Sequence, residues 1–200
     1  MKSLLLLTLV LLPLSSAAHA APEIGKPAPE FMANDTNGRH VMLSELKGKT
    51  VVLEWTNHEC PFVVKHYGSG NMQALQAEAA QDGVVWVSIV SSAKDKQGNV
   101  TAEEANKIIA DQKAVPAHKI LDEDGKIGKL YDAKTTPDMF VINKEGILVY
   151  KGAIDDKSGF NPEEIKDAKN YIRAALNDLK AGKPVEVSST KPYGCGVKYE

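Results

Sequence analysis

The chain has 200 residues, of which 24 are basic and 26 are acidic, so its formal net charge is −2. Charges of both signs are scattered along it, which gives no basic patch of the kind that binds nucleic acid. The length suits one domain with a full hydrophobic core.

The first twenty residues have the pattern of a secretory signal peptide. Lys2 supplies a positive charge, residues 4–14 are mostly apolar, and Ala18-His19-Ala20 fits the small-residue cleavage pattern. We expect cleavage after Ala20 and export to the periplasm of a Gram-negative cell or to the medium. The apolar run is too short for a membrane span, and we expect none in the mature chain. The remaining sequence predicts a domain over 21–183 and a tail over 184–200.

Strand and helix patterns alternate through the predicted domain. Up to residue 49 the sequence predicts an extended segment, a β-hairpin and one helical turn. We then predict, in chain order, a strand over 50–55, a helix over 62–80 that breaks near Gly68, a strand over 84–90, a helix over 101–113, a strand over 117–121, a helix over 126–131, a hairpin of strands over 138–143 and 147–151, and a helix over 162–181. This order predicts an α/β fold with a central mixed β-sheet flanked by helices.

Cys60 is the most informative position, because it follows the apolar strand over 50–55 and four polar residues. Proline is favoured at the first helical position, so Pro61 predicts a helix that begins there with Cys60 at its N-cap. The free N–H groups and the positive end of a helix dipole favour a thiolate, which makes Cys60 a candidate nucleophile. His58 is a candidate to stabilise that thiolate or to move a proton, and it can equally be an exposed loop residue.

The second cysteine, Cys195, lies between two glycines in the tail. Two cysteines in an exported protein most often form one disulfide, and a bridge across a loop of this size stabilises a fold by roughly 4–5 kcal/mol in the chain-entropy model. The sequence is compatible with a permanent Cys60–Cys195 bridge, with a bridge that forms and breaks during catalysis, and with two free thiols.

Several segments resemble the redoxin group of thioredoxin-fold proteins, which includes alkyl hydroperoxide reductase-like and thiol-specific-antioxidant-like proteins. The similar segments are 25–31 and 43–49, the strand–Cys60–helix unit, Thr136-Pro137 with the strand after it, and Gly194-Cys195-Gly196, which is similar to an exported subgroup. The resemblance implies a thioredoxin-like fold with an N-terminal β-hairpin extension and an active site at Cys60. Thioredoxins have a second cysteine three positions later, where this chain has Val63. Any second sulfur must therefore come from Cys195 or from another molecule.

The resemblance also implies roles for residues near Cys60. Glu54 matches a buried acid that moves protons for the thiol in thioredoxins, and a salt-bridged glutamate is the other interpretation. Thr136 and Pro137 match the segment that holds a cis-proline, so the Thr136 backbone is expected beside Cys60, ready to pair with a partner chain. Trp55 and Pro61 are the remaining candidates for the partner-binding surface, Trp55 with a place in the core as its alternative.

Peroxiredoxins in the same group have a threonine three residues before the reactive cysteine and an arginine that holds the peroxide. Here that position is Asn57, and the chain has only Arg39 and Arg173. The sequence therefore favours thiol–disulfide exchange, or slow reduction of a hydroperoxide or a sulfenic acid, over a fast peroxidase.

Together these features predict an exported thiol-dependent oxidoreductase with Cys60 as nucleophile and Cys195 as the resolving or bridging cysteine. Its partner would be a protein thiol or disulfide, or a small thiol or peroxide, and we expect no cofactor. The alternative is a catalytically silent partner-binding module with a structural Cys60–Cys195 disulfide. Copper or zinc binding by the cysteines with His58 and His66 is a third interpretation, less favoured. Lys65 and His66 are otherwise expected on the polar surface of the helix.

Overall fold

The computed structural model describes residues 21–200, and the predicted signal peptide lies outside these residues. In chain order the elements are β1 (Met32–Asn34), β2 (His40–Met42), β3 (Val51–Trp55), α1 (Pro61–Gly68), α2 (Asn71–Gln81), β4 (Val85–Val90), α3 (Ala102–Asp111), β5 (His118–Leu121), α4 (Lys126–Tyr131), β6 (Thr135–Thr136), β7 (Asp138–Ile142), β8 (Leu148–Gly152), α5 (Tyr171–Lys180) and β9 (Cys195–Gly196). Short 3-10 helices cover Leu43–Leu46 and Pro162–Asp167.

The centre of the fold is a five-stranded sheet with strand order β5-β4-β3-β7-β8. β3, β4 and β5 run parallel, whereas β7 is antiparallel to both of its neighbours. β1 and β2 form a separate N-terminal hairpin. The predicted α/β class, the mixed central sheet and the N-terminal hairpin are therefore confirmed.

Two apolar clusters cover the two faces of the sheet, and β3 contributes to both. Val51, Leu53 and Trp55 face a cluster that includes the N-terminal segment and α4. Val52 and Cys60 belong to the other cluster, which includes residues of α1, α2 and α5. Successive side chains of a strand point to opposite faces, which explains why β3 contributes to both clusters. Cys60, at the start of α1, packs in the cluster on the α1–α2–α5 side.

The predicted helix breaks and starts follow from local chemistry. α1 ends at Gly68, and α2 begins after Gly70, which has the left-handed φ of +77° that favours glycine. At the start of α3, the Thr101 side chain accepts a hydrogen bond from the Glu104 N–H while the Glu104 side chain binds the Thr101 N–H. This reciprocal pair is a capping box, as the sequence Thr-x-x-Glu predicts.

The prediction of one long helix over 162–181 is wrong, because α5 begins only at Tyr171. The chain is extended at Ala168, with φ −79° and ψ 133°, after the 3-10 helix. The Asn170 side chain then accepts a hydrogen bond from the Arg173 N–H at 2.9 Å, and the Tyr171 N–H binds the Ile154 carbonyl. Asn170 is thus an N-cap, a role that asparagine favours over the helix interior.

The tail over 184–200 lies along the domain, although its sequence has no periodicity that predicts this. β9 pairs antiparallel with β6, in the register Thr136↔Cys195. Lys151 of β8 exchanges backbone hydrogen bonds with Ser188 and Thr190, and the Ala93 N–H binds the Lys198 carbonyl. None of the helices described over 21–200 is long and apolar enough to cross a membrane.

Candidate active site

Cys60 begins α1, as the sequence predicts. It is the N-cap residue, with extended φ −76° and ψ 124°, and Pro61 occupies the first turn. A polar turn orients it, because the Asn57 side chain accepts a hydrogen bond from the Glu59 N–H and the Asn57 carbonyl accepts one from the Cys60 N–H. Cys60 is 0% exposed, whereas Pro61 lies on the surface.

The fold brings Cys195 onto Cys60 across 135 residues of chain, with the two sulfur atoms 2.7 Å apart and both thiols unbonded. Cys60 Sγ also lies 3.1 Å from the Thr136 carbonyl oxygen. The Thr136–Pro137 peptide bond is cis, and the Thr136 backbone pairs with the tail. The chain's own tail therefore occupies the strand edge where the sequence predicts that a partner chain binds.

Gly194 is necessary for this close approach. Its φ is +141°, and a Cβ atom built on it would lie 2.0 Å from the Thr136 carbonyl oxygen. No real Cβ approaches an oxygen so closely, so a larger residue must displace the tail. Gly196 differs, because a Cβ there meets no atom within 4 Å. The two glycines around Cys195 are thus unequal, and only Gly194 is required by the contact.

The surroundings of Cys60 favour its thiolate. Burial alone raises the pKa of the Cys60 thiol, but donors from Cys195, from the Thr136 side chain and from the Val63 N–H in the first turn of α1 together lower that pKa below its ordinary value. The Thr136 hydroxyl makes no hydrogen bond with the protonated thiol pair in the described chain, so its proton is free to turn to a Cys60 thiolate.

Cys195 has the opposite character. It is half-buried, lies next to the exposed Gly196, and so is the more accessible of the two cysteines. Burial and the neighbouring Cys60 raise the pKa of the Cys195 thiol, while Lys198 lowers it by a smaller amount. Of the two thiols, Cys60 therefore ionises first and Cys195 keeps its proton longer.

Glu54 is fully buried on the same face of the sheet, in a cluster of donors. Its carboxylate accepts hydrogen bonds from the Tyr67 hydroxyl, Trp86 Nε1 and the Ser88 hydroxyl, each at 2.8 Å, and a longer one from Gln76. Within residues 21–200, no hydrogen bond joins Glu54 to either cysteine. A buried carboxylate with several good donors is well suited to hold elements together, here β3, α1, α2 and β4.

The expectation that Lys65 and His66 lie on the polar surface of α1 is wrong, since both are buried. Lys65 Nζ donates to the carbonyls of Lys157 and Gly159, at 2.6 and 3.0 Å. His66 Nε2 lies 3.2 Å from the Tyr193 hydroxyl, and burial with the nearby Lys65 charge lowers the pKa of His66 to about 3. The Tyr193 hydroxyl also donates to Asp155. His66 and Asp155 thus anchor the tail at Tyr193, two positions before Cys195.

The other predicted site residues lie apart from the sulfurs. Trp55 is fully buried in the cluster on the opposite face, where its Nε1 donates to Ser91 at 3.0 Å. His58 is half-buried in the turn before Cys60, and no hydrogen bond in the described chain joins it to a cysteine. Arg39 pairs with Asp35, and Arg173 pairs with Glu78.

A metal interpretation finds no support in this geometry. Copper or zinc binding would require His58 and His66 to converge on the two sulfurs, and His66 instead contacts Tyr193 and Asn71. In the part of the chain that the structure describes, no three His, Cys, Asp or Glu side chains are placed to hold a metal ion.

The sheet order, the Cys60 helix start and the cis-proline segment together define a protein with a thioredoxin-like fold. The thioredoxin domain of a thiol-disulfide oxidoreductase from Bacteroides vulgatus shares this fold, with a TM-score of 0.53 and 18% identity over 74% of this chain and 98% of that one. Residues 24–151 match the AhpC/TSA family, so the chain belongs to that family.

Two further proteins have a higher sequence identity to the chain than the Bacteroides protein. A hypothetical protein from Sinorhizobium meliloti has a TM-score of 0.75 and 26% identity, covering 90% of this chain and 97% of its own. The thiol-disulfide oxidoreductase ResA of Bacillus subtilis is 27% identical over 132 residues, which are 62% of this chain and 64% of ResA. The chain thus spans somewhat less than two thirds of that relative.

Proposed function

We propose that the protein is a thiol–disulfide oxidoreductase whose redox-active pair is Cys60 and Cys195. One observation carries this proposal: the two sulfur atoms lie 2.7 Å apart, held there by pairing of the tail with Thr136. A disulfide requires about 2.05 Å, so bond formation needs only a small displacement. The pair would take the place of the Cys-x-x-Cys dithiol of thioredoxins, because this chain has Val63 where they have the second cysteine.

In this proposal Cys60 supplies the internal nucleophile. Its favoured thiolate attacks a disulfide formed by Cys195, or leaves as thiolate when the Cys60–Cys195 bond is broken. Oxidation of the pair releases two electrons and two protons, and a partner disulfide accepts both by becoming a dithiol. The family membership and the named relative ResA support disulfide exchange. A fast peroxidase of the peroxiredoxin kind would need an arginine at Cys60, and both arginines of the chain are paired with carboxylates, Arg39 with Asp35 and Arg173 with Glu78.

The test is a redox titration of the purified protein in glutathione buffers of fixed potential, read by mass after the free thiols are alkylated. We expect a two-electron transition between dithiol and disulfide, and its absence in Cys60→Ser and in Cys195→Ser. Catalytic activity is measured as the reduction of insulin disulfides. Each variant should lose this activity while its circular dichroism spectrum stays that of the native fold. A wild-type protein that never forms the bridge would refute the proposal.

A silent binding module with a permanent bridge is the second candidate, and the complete burial of Cys60 favours it. The two candidates differ in how the bridge responds to thiols. A permanent bridge resists millimolar glutathione, and Cys60→Ser then lowers the melting temperature without changing any redox assay. A bridge that opens reversibly in the glutathione titration excludes the module.

We also propose that the protein is exported, since residues 1–20 have the composition of a signal peptide. The measurement is the intact mass of the protein recovered from the periplasm or the medium. We expect a chain that begins at Ala21. Recovery of the uncleaved chain from the cytosol alone would contradict the proposal.

A further inference from the structure

We infer that external thiols exchange with Cys195 and not with Cys60, so that the sulfur at the helix start reacts only with its partner in the tail. This inference rests on the proposed Cys60–Cys195 redox pair and assigns the order of its steps. It reverses the expectation from sequence, in which Cys60 is the sulfur that meets the partner.

The two sulfurs differ in access. Thiol–disulfide exchange is a displacement at sulfur, in which the incoming thiolate approaches opposite the sulfur that leaves. Cys60 is 0% exposed within the core cluster, so an external thiolate cannot reach it in the closed structure. Cys195 packs against the same cluster but is only half-buried, and its neighbour Gly196 is exposed, so an external thiolate can approach this sulfur.

The strand edge beside Cys60 is already occupied. In the described structure, the Thr136 backbone is paired with Cys195, and the Val197 N–H binds the Lys134 carbonyl. A peptide that approached Cys60 by pairing with Thr136 would first have to remove this strand. The tail is held on both sides of Cys195, by Tyr193 in its contacts with Asp155 and His66 and by Tyr199, whose hydroxyl donates to the Ala133 carbonyl.

The two sulfurs also differ as leaving groups. When Cys195 is attacked, Cys60 departs into a site with donors from Val63 and the Thr136 side chain, which hold its thiolate. A sulfur that is stable as thiolate leaves faster. When Cys60 is attacked, Cys195 must depart as the less favoured thiolate.

Exchange at Cys195 transfers two electrons from a partner dithiol to the cysteine pair in two steps. A partner thiolate forms a bond to Cys195 Sγ, the Cys60–Cys195 bond breaks, and Cys60 is released as thiolate. A second thiolate of the same partner then attacks the partner's own sulfur in the mixed disulfide and releases Cys195, which takes up a proton. The partner dithiol has become a disulfide, and the two electrons reside on the cysteine pair. In the reverse direction, the Cys60 thiolate attacks Cys195 within the mixed disulfide and closes the bridge.

The experiment uses the oxidised wild-type protein and limiting reduced glutathione, quenched with acid within milliseconds and analysed by peptide mass. We expect glutathione on the Cys195 peptide in roughly tenfold or greater excess over the Cys60 peptide, because access and leaving group both favour that sulfur. Equal labelling, or an excess on Cys60, overturns the inference and leaves the redox pair intact. A protein with no Cys60–Cys195 bridge before glutathione is added overturns the proposed function, and the inference with it.

Two single-cysteine variants exclude transfer of glutathione between the sulfurs. Cys60→Ser keeps Cys195, and Cys195→Ser keeps Cys60 under an intact tail. With an aromatic disulfide as probe, we expect Cys195 in the first variant to react at least about tenfold faster than Cys60 in the second. Faster reaction of Cys60 would overturn the inference in the same way.

Discussion

Replacement of Gly194 by alanine tests whether tail docking controls Cys60. The alanine Cβ would lie 2.0 Å from the Thr136 carbonyl oxygen, and real Cβ atoms stay at least 3.0 Å away, so the tail must retreat by 3.0 − 2.0 = 1.0 Å or more. Overpacking of this kind costs about 1–3 kcal/mol, which lowers the equilibrium constant for tail docking, and so raises the population of a minor undocked state, about 5- to 150-fold. The left-handed φ of +141° adds to this cost.

The assay is alkylation of Cys60 by a maleimide in the Cys195→Ser background, where Cys60 is the only thiol. We expect Gly194→Ala to accelerate labelling of Cys60 by about 5- to 150-fold, in proportion to the rise in the population whose tail is undocked. Gly196→Ala is the matched control, because its Cβ meets no atom within 4 Å, and its labelling rate should stay within about twofold of the background. Equal rates for the two alanine variants would refute the reasoning that the tail shields Cys60.

Three further predictions concern charge and hydrogen bonds. Thr136→Val removes a side-chain donor that favours the Cys60 thiolate and should raise the pKa of Cys60, measured from the pH dependence of alkylation. Thr135→Val is the control, because the Thr135 hydroxyl binds the Pro137 carbonyl, and it should leave that pH dependence unchanged. Glu54→Gln replaces one carboxylate oxygen, an acceptor, by an amide NH₂ that faces the donors of Tyr67, Trp86 and Ser88. This change should lower the free energy of unfolding in urea by about 2–4 kcal/mol. An altered pH profile of Cys60 alkylation in this variant would contradict a purely structural role for Glu54. Burial raises the pKa of Asp138 to about 7, so the native state binds more protons than the unfolded state between pH 4 and 7. Stability should therefore fall as pH rises through that range, by up to about 4 kcal/mol from this group, and Asp138→Asn should flatten the slope of unfolding free energy against pH.

The parts of the fold that local sequence determines were predictable. The strand–turn–Cys60-Pro61 unit and the capping box at Thr101 each depend on residues within a few positions of one another. Local rules also predict the break between α1 and α2, because glycine tolerates the left-handed backbone at Gly70. The mixed sheet follows from the order of strands and helices, which restricts the topologies available.

The parts that sequence could not predict depend on distant partners. Lys65 and His66 have the composition of an exposed helix face, yet they bind groups 92 to 127 residues later in the chain. The tail has no hydrophobic periodicity. Its two-residue strand is held by pairing with Thr136 and by the hydrogen bonds of Tyr193 with Asp155 and His66. One signal was available: a cysteine flanked by two glycines marks a backbone that can approach another strand closely.

The 135-residue separation of the two sulfurs also orders events during synthesis. At about 5–20 residues per second, Cys195 is made roughly 7–27 s after Cys60. The strands and helices that surround Cys60 precede the tail, so the nascent domain would carry an unpaired, uncovered thiol for that interval. The tail is therefore the last part of the chain to cover Cys60, and chains that stop short of Cys195 would leave its sulfur free to exchange with the disulfides of other proteins in their compartment.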